Sequence, residues 1–178
     1  FAAIAEIDFR MPKPDPMSRS GMVPKDAPTD TARMATLAEG ARRYRGAAAE
    51  ATGTAAVVAY LDAAEAWQRA GKPEEALIDL KAAWDLGQKD LPGFSAASNY
   101  ARALADANRA DDAILILRES VAREEGVFAE EALLLLAAAQ LDAGKTEDAR
   151  GVRTEFATRF PDSLRGPRLA ELRSRAGG

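Results

Sequence analysis

An all-α fold built from repeated helix pairs is what this 178-residue sequence predicts, and three observations predict it. Apolar residues recur at spacings of three and four within stretches that Gly, Asn and Pro interrupt regularly, the pattern of helices joined by short turns. Hydrophobic residues make up 47% of the chain but aromatic ones only 6%, with alanine supplying much of the difference. Alanine is the best helix former and lets helices approach closely. Finally, one seven-residue turn occurs three times: Ala-Gly-Lys-Pro-Glu-Glu-Ala (70–76), Ala-Asn-Arg-Ala-Asp-Asp-Ala (107–113) and Ala-Gly-Lys-Thr-Glu-Asp-Ala (143–149). The closing alanines Ala76, Ala113 and Ala149 lie 37 and 36 residues apart, a period typical of helical arrays.

The elements follow in chain order. Residues 1–29 hold five of the nine prolines and read as an extended arm, because that spacing blocks helix and ladder alike. Ile4, Ile7 and Phe9 precede the prolines and give the arm an apolar anchor. Two readings stay open for it: a disordered leader, or a segment laid on a partner or on the module's own surface. Thr29 or Asp30 then caps a helix to about residue 51, with Met34, Leu37, Ala41 and Tyr44 on one face. Further helices are expected over 54–70, 73–86, 94–107, 111–124, 128–142 and 146–159, the last capped by Thr146. Leu91-Pro92-Gly93 reads as a turn, and Ser163 as the cap of a final helix over 164–175. Within the repeated turn, Gly or Asn takes the left-handed backbone, paired acids complement the next helix dipole, and the closing alanine sits where helices cross.

On these residues the chain resembles the tetratricopeptide repeat family, from about residue 54 to 161. Tyr60, Ala63, Ala64, Trp67, Ala76, Leu80 and Ala83 match its pattern in the first unit. Tyr100, Ala101, Leu104, Ala113, Leu117 and Ser120 do so in the second, and Leu133, Leu136, Ala137, Ala149, Phe156, Phe160 and Pro161 in the third. Gln140 and Arg153 depart from it, standing where the family has an aromatic and a large apolar residue. The resemblance implies a right-handed α-solenoid of about three helix pairs (57–90, 94–127 and 130–163) with an extra N-terminal helix and a C-terminal cap over 164–175, all within one repeat domain, 30–178. The ending Phe-x-x-x-Phe-Pro-Asp-Ser (156–163) is similar to repeats in bacterial envelope lipoproteins and periplasmic adaptors, which points to the envelope. The Ala- and Arg-rich composition fits a bacterial source.

Composition narrows the function. The chain has no Cys and no His, so thiolate nucleophiles, imidazole bases and the common zinc and haem ligands are not expected. Acid pairs such as Glu74/Glu75, Asp111/Asp112 and Glu130/Glu131 stand at helix starts, where the dipole accounts for them. With no phosphate loop or nucleophile elbow, neither an enzyme nor a cofactor is expected. Residues 50–149 carry 9 basic against 19 acidic residues, which argues against nucleic acid as a partner and fits either a solvated surface or an acidic groove for a basic segment. No apolar run is long enough to span a bilayer. The chain opens on Phe1 rather than Met, as a processed product or one preceded by a signal or anchor would.

The expected activity is therefore protein binding. The family's groove positions fall on Leu61, Glu65, Gln68 and Arg69, then Ser95, Ser98, Asn99 and Arg102, then Glu131, Leu134 and Ala138. Asn99 fits the carboxylate clamp of chaperone-binding relatives, but Leu61, Glu65 and Glu131 do not, so a mixed-polarity face for a partner peptide or helix is expected instead. Tyr60, Trp67 and Trp84 are assigned to the core, Phe94 and Phe128 to stapled turns, and Arg42, Arg43 and Arg45 to a small basic patch. The functional alternatives are an adaptor, a constitutive subunit of a larger complex held through its arm, and a module whose arm or first helix occupies its own groove.

Overall fold

A computed structural model describes residues 30–87 and 90–165 of the protein. The arm with Ile4, Ile7 and Phe9, and the expected cap beyond residue 165, lie outside the described residues. Within them are seven helices and no strand: α1 (Asp30–Glu50), α2 (Gly53–Arg69), α3 (Pro73–Asp85), α4 (Leu91–Asp106), α5 (Ala110–Arg123), α6 (Gly126–Asp142) and α7 (Thr146–Arg159). None of them is long and apolar enough to cross a membrane.

The three related turns close in one way. Gly71, Asn108 and Gly144 have φ of +70°, +60° and +73°, the left-handed backbone that the turn requires. At each, the amide one residue later returns to a carbonyl five residues back: Lys72 to Trp67 at 2.9 Å, Arg109 to Leu104 at 2.8 Å and Lys145 to Gln140 at 2.7 Å. The left-handed residue itself donates three residues back, from Gly71 to Gln68, from Asn108 to Ala105 and from Gly144 to Leu141. These paired bonds satisfy carbonyls that a helix end leaves bare. They repeat at the period of the sequence motif, so the repeat lies in backbone hydrogen bonding as well as in residue identity.

Three boundaries differ from expectation. The Leu91-Pro92-Gly93 segment is the first turn of α4 rather than a separate turn. Asp90 caps it, its Oδ1 accepting from the Gly93 amide at 2.9 Å, and a proline is compatible with a first turn because no intrahelical partner awaits its missing N–H. Thr146 is the first residue of α7 and not its cap; Lys145 holds that position and makes no side-chain cap bond. Met34 is 49% exposed, so the buried face of α1 is formed by Ala38, Ala41 and Ala48.

Contacts divide the helices into two compact units, one ending at Ala83 and one beginning at Trp84. In the first unit α1 packs along α2. In the second, α4 packs on α5, α5 on α6 and α6 on α7, and α4 also meets α6 directly. Leu104, Leu117, Leu133, Leu136 and Phe156 fill this second core between alanine-faced helices. Trp67, Trp84 and Tyr100 are buried as expected, while Tyr60 is half-buried.

Candidate functional site

In the second unit a groove of about 610 Å³ is lined by the C-terminal halves of α4 and α6 and by Ala110, Ala113 and Leu117 of α5. Its wall is largely methyl groups, with Ala101 and Ala105 from α4, Ala138 and Ala139 from α6, and Ala110 and Ala113 from α5. Alanine at these positions is what makes the groove: it lets two helices run close together and fills none of the space between them. The volume lies within the range of small-ligand sites.

Polar groups are spaced along this wall. Ser98 Oγ donates to the Phe94 carbonyl at 2.9 Å, which fixes the hydroxyl against its own helix. Arg102 donates to Asn99 Oδ1 at 3.0 Å, one turn apart on an exposed face. Asp106 and Asp142, the last residues of α4 and α6, also line it. The groove therefore joins an apolar floor to an amide, a guanidinium and two carboxylates.

The structure brings together some of the residues expected on this face and separates others. Ser98, Asn99, Arg102 and Ala138 all line the groove. Glu65 and Arg69 line a different, smaller cleft of about 160 Å³ in the first unit, flanked by Leu37 and Tyr44 of α1. Leu61 is half-buried and Gln68 exposed, and neither lines that cleft; Ser95 is half-buried outside the groove. Two residues need correction. Leu134 is only 2% exposed and belongs to the core, since the run Leu133–Leu136 gives no periodicity from which to choose a face. Glu131 is engaged by Arg165 Nη1, and Arg165 Nε also approaches Glu130 at 3.7 Å. Glu130 in addition accepts from Ser163 Oγ at 2.7 Å, so these acids tie down the segment after α7 rather than facing a groove.

The small cleft is acidic. Burial raises the Asp62 carboxyl above its ordinary range, and neighbouring Glu65 adds to the effect. The Tyr44 hydroxyl is raised as well, first by burial and then by Asp62 and Glu65. Arg69 approaches Glu65 at 3.7 Å across an exposed surface, a weak compensation.

The arginines expected as a patch do other work. Arg45 donates through Nε to Asp79 Oδ1 at 2.7 Å, through Nη1 to Glu75 Oε2 at 2.9 Å, and through Nη2 to the Glu75 carbonyl at 3.1 Å. It also lies 5.2 Å from the centroid of the Trp67 ring, with Arg42 at 5.9 Å and Lys72 at 5.6 Å. Asp79 is 1% exposed. Burial raises its carboxyl above the ordinary range and outweighs the lowering by Arg45 and, further down, by the Trp67 indole. Trp67 Nε1 and Asp79 Oδ2 nevertheless lack a hydrogen bond of good geometry. Arg42 and Arg43 pair with Glu39 on the surface. Phe94 and Phe128, expected at separate turns, stack on each other at 5.3 Å and join α4 to α6.

Comparison with protein-family models, curated proteins and solved structures returns no match.

Proposed function

We propose that the chain is a helical-repeat interaction module of the tetratricopeptide type, a right-handed array of three helix pairs that binds a segment of another protein and catalyses no reaction. The observation that carries this reading is the groove between α4 and α6, where Ser98, Asn99, Arg102 and Ala138 converge. The groove positions of the repeat family that the chain resembles fall on these residues, and the recurrence of the turn hydrogen bonds supports the same 36–37-residue period. An alanine floor with scattered polar groups suits a peptide or helix, whose backbone and small side chains pack closely while a few polar contacts fix register.

A photo-crosslinking amino acid at Asn99 or Ala138, introduced in the producing cell, tests the proposal against the same probe at Leu115 or Arg118, which are exposed on α5. Crosslinks to one discrete protein are expected from the groove positions and not from α5. Equal or stronger crosslinking from α5 would remove the groove from consideration as the binding face.

A further inference from the structure

The pairing of α6 with α7 is weaker than its burial suggests. Among the described helices α7 packs chiefly on α6, through a face formed by Ala149, Val152 and Phe156. Arg153 stands on that face, between Ala149 and Phe156 at helical spacing. Its Nη1 is buried without a hydrogen-bond partner, and it makes no ion pair among the described residues. On α6, Gln140 in the last turn is fully buried, and neither of its amide atoms has a partner. A helical side chain leans toward the start of its own helix, so across a hairpin closed at Gly144 these two side chains lean toward one level. A buried polar group left unpaired costs free energy that contact with water returns. Separation of the two helices is made easier by that return.

The backbone of α7 adds to this. Gly151 lies inside the helix, and a methyl group at that position would meet no atom within 4 Å. Packing therefore does not require glycine there, and an interior glycine lowers helix stability. Thr154 and Thr158 turn their hydroxyls back to the Arg150 and Thr154 carbonyls at 3.1 and 2.9 Å, a bond that slightly weakens a helix. The two ends of α7 are held differently. At its start the Lys145 amide donates to the Gln140 carbonyl at 2.7 Å. Beyond its end, Ser163 and Arg165 bond Glu130 and Glu131 of α6, with both acids and Arg165 partly open to solvent. An ionic clasp of that kind loosens as salt rises.

We propose that α7 is a releasable strap. It leaves α6 as a unit while α4, α5 and α6 stay folded, turning about the connection at Gly144 and giving water access to Gln140 and Arg153. The native protein thus has a second conformation in which the side of α6 under α7 is open, and the clasp on Glu130 and Glu131 sets how often it is visited. A change of ionic strength acts on that clasp and so on the balance between the two conformations. The strap is independent of the groove between α4 and α6 and of what that groove binds.

Native-state hydrogen exchange of the full chain, followed amide by amide in increasing urea, tests this. Amides of α7 should exchange faster than those of α4 and α5, with a shallower dependence on urea because a partial opening exposes less surface. Gln140→Leu should slow exchange in α7 about tenfold, since opening no longer relieves a buried amide. Gly151→Ala should slow it about threefold by strengthening the helix. Glu131→Gln should quicken it, and added salt should quicken it more in the wild type than in that variant. Leu104 of α4 is 1% exposed, and Leu104→Ala should quicken exchange in α4 while leaving α7 unchanged. Should that variant fail to fold, the urea slopes of the wild type decide the same point. One urea slope shared by α4 and α7, or α7 rates indifferent to Gln140→Leu, would overturn the inference.

Discussion

In the unit ending at Ala83, a helix that precedes the first repeated turn is secured by a charged side chain directed inward, Arg45 of α1 against Asp79 and Glu75 of α3. In the unit beginning at Trp84, the equivalent work falls to apolar contacts: Leu104, Leu133 and Phe156 in the core and the stacked Phe94 and Phe128 between α4 and α6. Cross-helix ion pairs there, such as Arg118 with Asp148, lie on exposed surface and contribute little. One sequence pattern of Ala-rich helices thus supports two kinds of cohesion. An internal ion pair fixes geometry through directed hydrogen bonds, and its burial lends less stability than its bond lengths suggest. An apolar core is indifferent to direction and leaves the charges of its helices for the surface.

The contrast can be broken most strongly in the apolar unit. Phe156 is 2% exposed, and Phe156→Ala should cost about 4 kcal/mol in urea denaturation by transfer and cavity formation. Hydrogen exchange should locate the loss in α4–α7.

Arg45→Ala tests the polar unit and should cost about 3 kcal/mol, because it strands Asp79, 1% exposed, without its counter-charge. The penalty should depend on pH in a definite direction. The Asp79 carboxyl is already raised in the folded protein, so its contribution to stability is present below the ordinary aspartate range and is lost as pH rises through its folded value. Removing Arg45 raises it further. The deficit of the variant should therefore be largest at neutral pH and shrink as pH falls through the carboxylate range; a deficit independent of pH would show that Asp79 is not the stranded group.

A smaller effect of opposite sign is expected at Gln140, fully buried with no hydrogen-bond partner for either amide atom. Gln140→Leu should stabilise the second unit by about 1–2 kcal/mol, measured as a shift of the urea midpoint. At Asn108, with φ of +60°, substitution by glycine should add about 0.5 kcal/mol by relieving left-handed strain without moving the turn.

Much of this architecture was legible in the sequence because the determinants are local or periodic. Left-handed turn residues restrict the choice to Gly or Asn, so Gly71, Asn108 and Gly144 announced their turns. The family resemblance carried on those turns implied groove positions at Ser98, Asn99, Arg102 and Ala138, and these four line one groove. What escaped notice depended on partners distant in the chain. Arg45 and Asp79 are 34 residues apart, and nothing in the run Arg42, Arg43, Arg45 distinguishes the one that turns inward. A signal did exist on the other side: Asp79 interrupts the apolar set Ala76, Leu80 and Ala83, and an acid on a buried face requires a cation. Glu131 was misassigned for the same reason, since its partner Arg165 enters from beyond the repeat pattern. The start of α4 was missed because proline marks either a turn or a first helical turn, and only the cap by Asp90 distinguishes them.

Among the described residues, 20 of the 34 buried apolar side chains are alanine. An alanine has no side-chain rotamers to lose and none with which to adapt, so such a core is inexpensive in entropy and poor in slack. A larger residue at a helix crossing cannot be absorbed by neighbouring side chains turning aside; the helices themselves must separate. The width of the channel between α4 and α6 is accordingly a mechanical readout of buried methyl groups some distance from it. In the proposed binding role, ligand preference would drift through changes at Ala97 or Ala137, both fully buried, without any substitution in the groove lining.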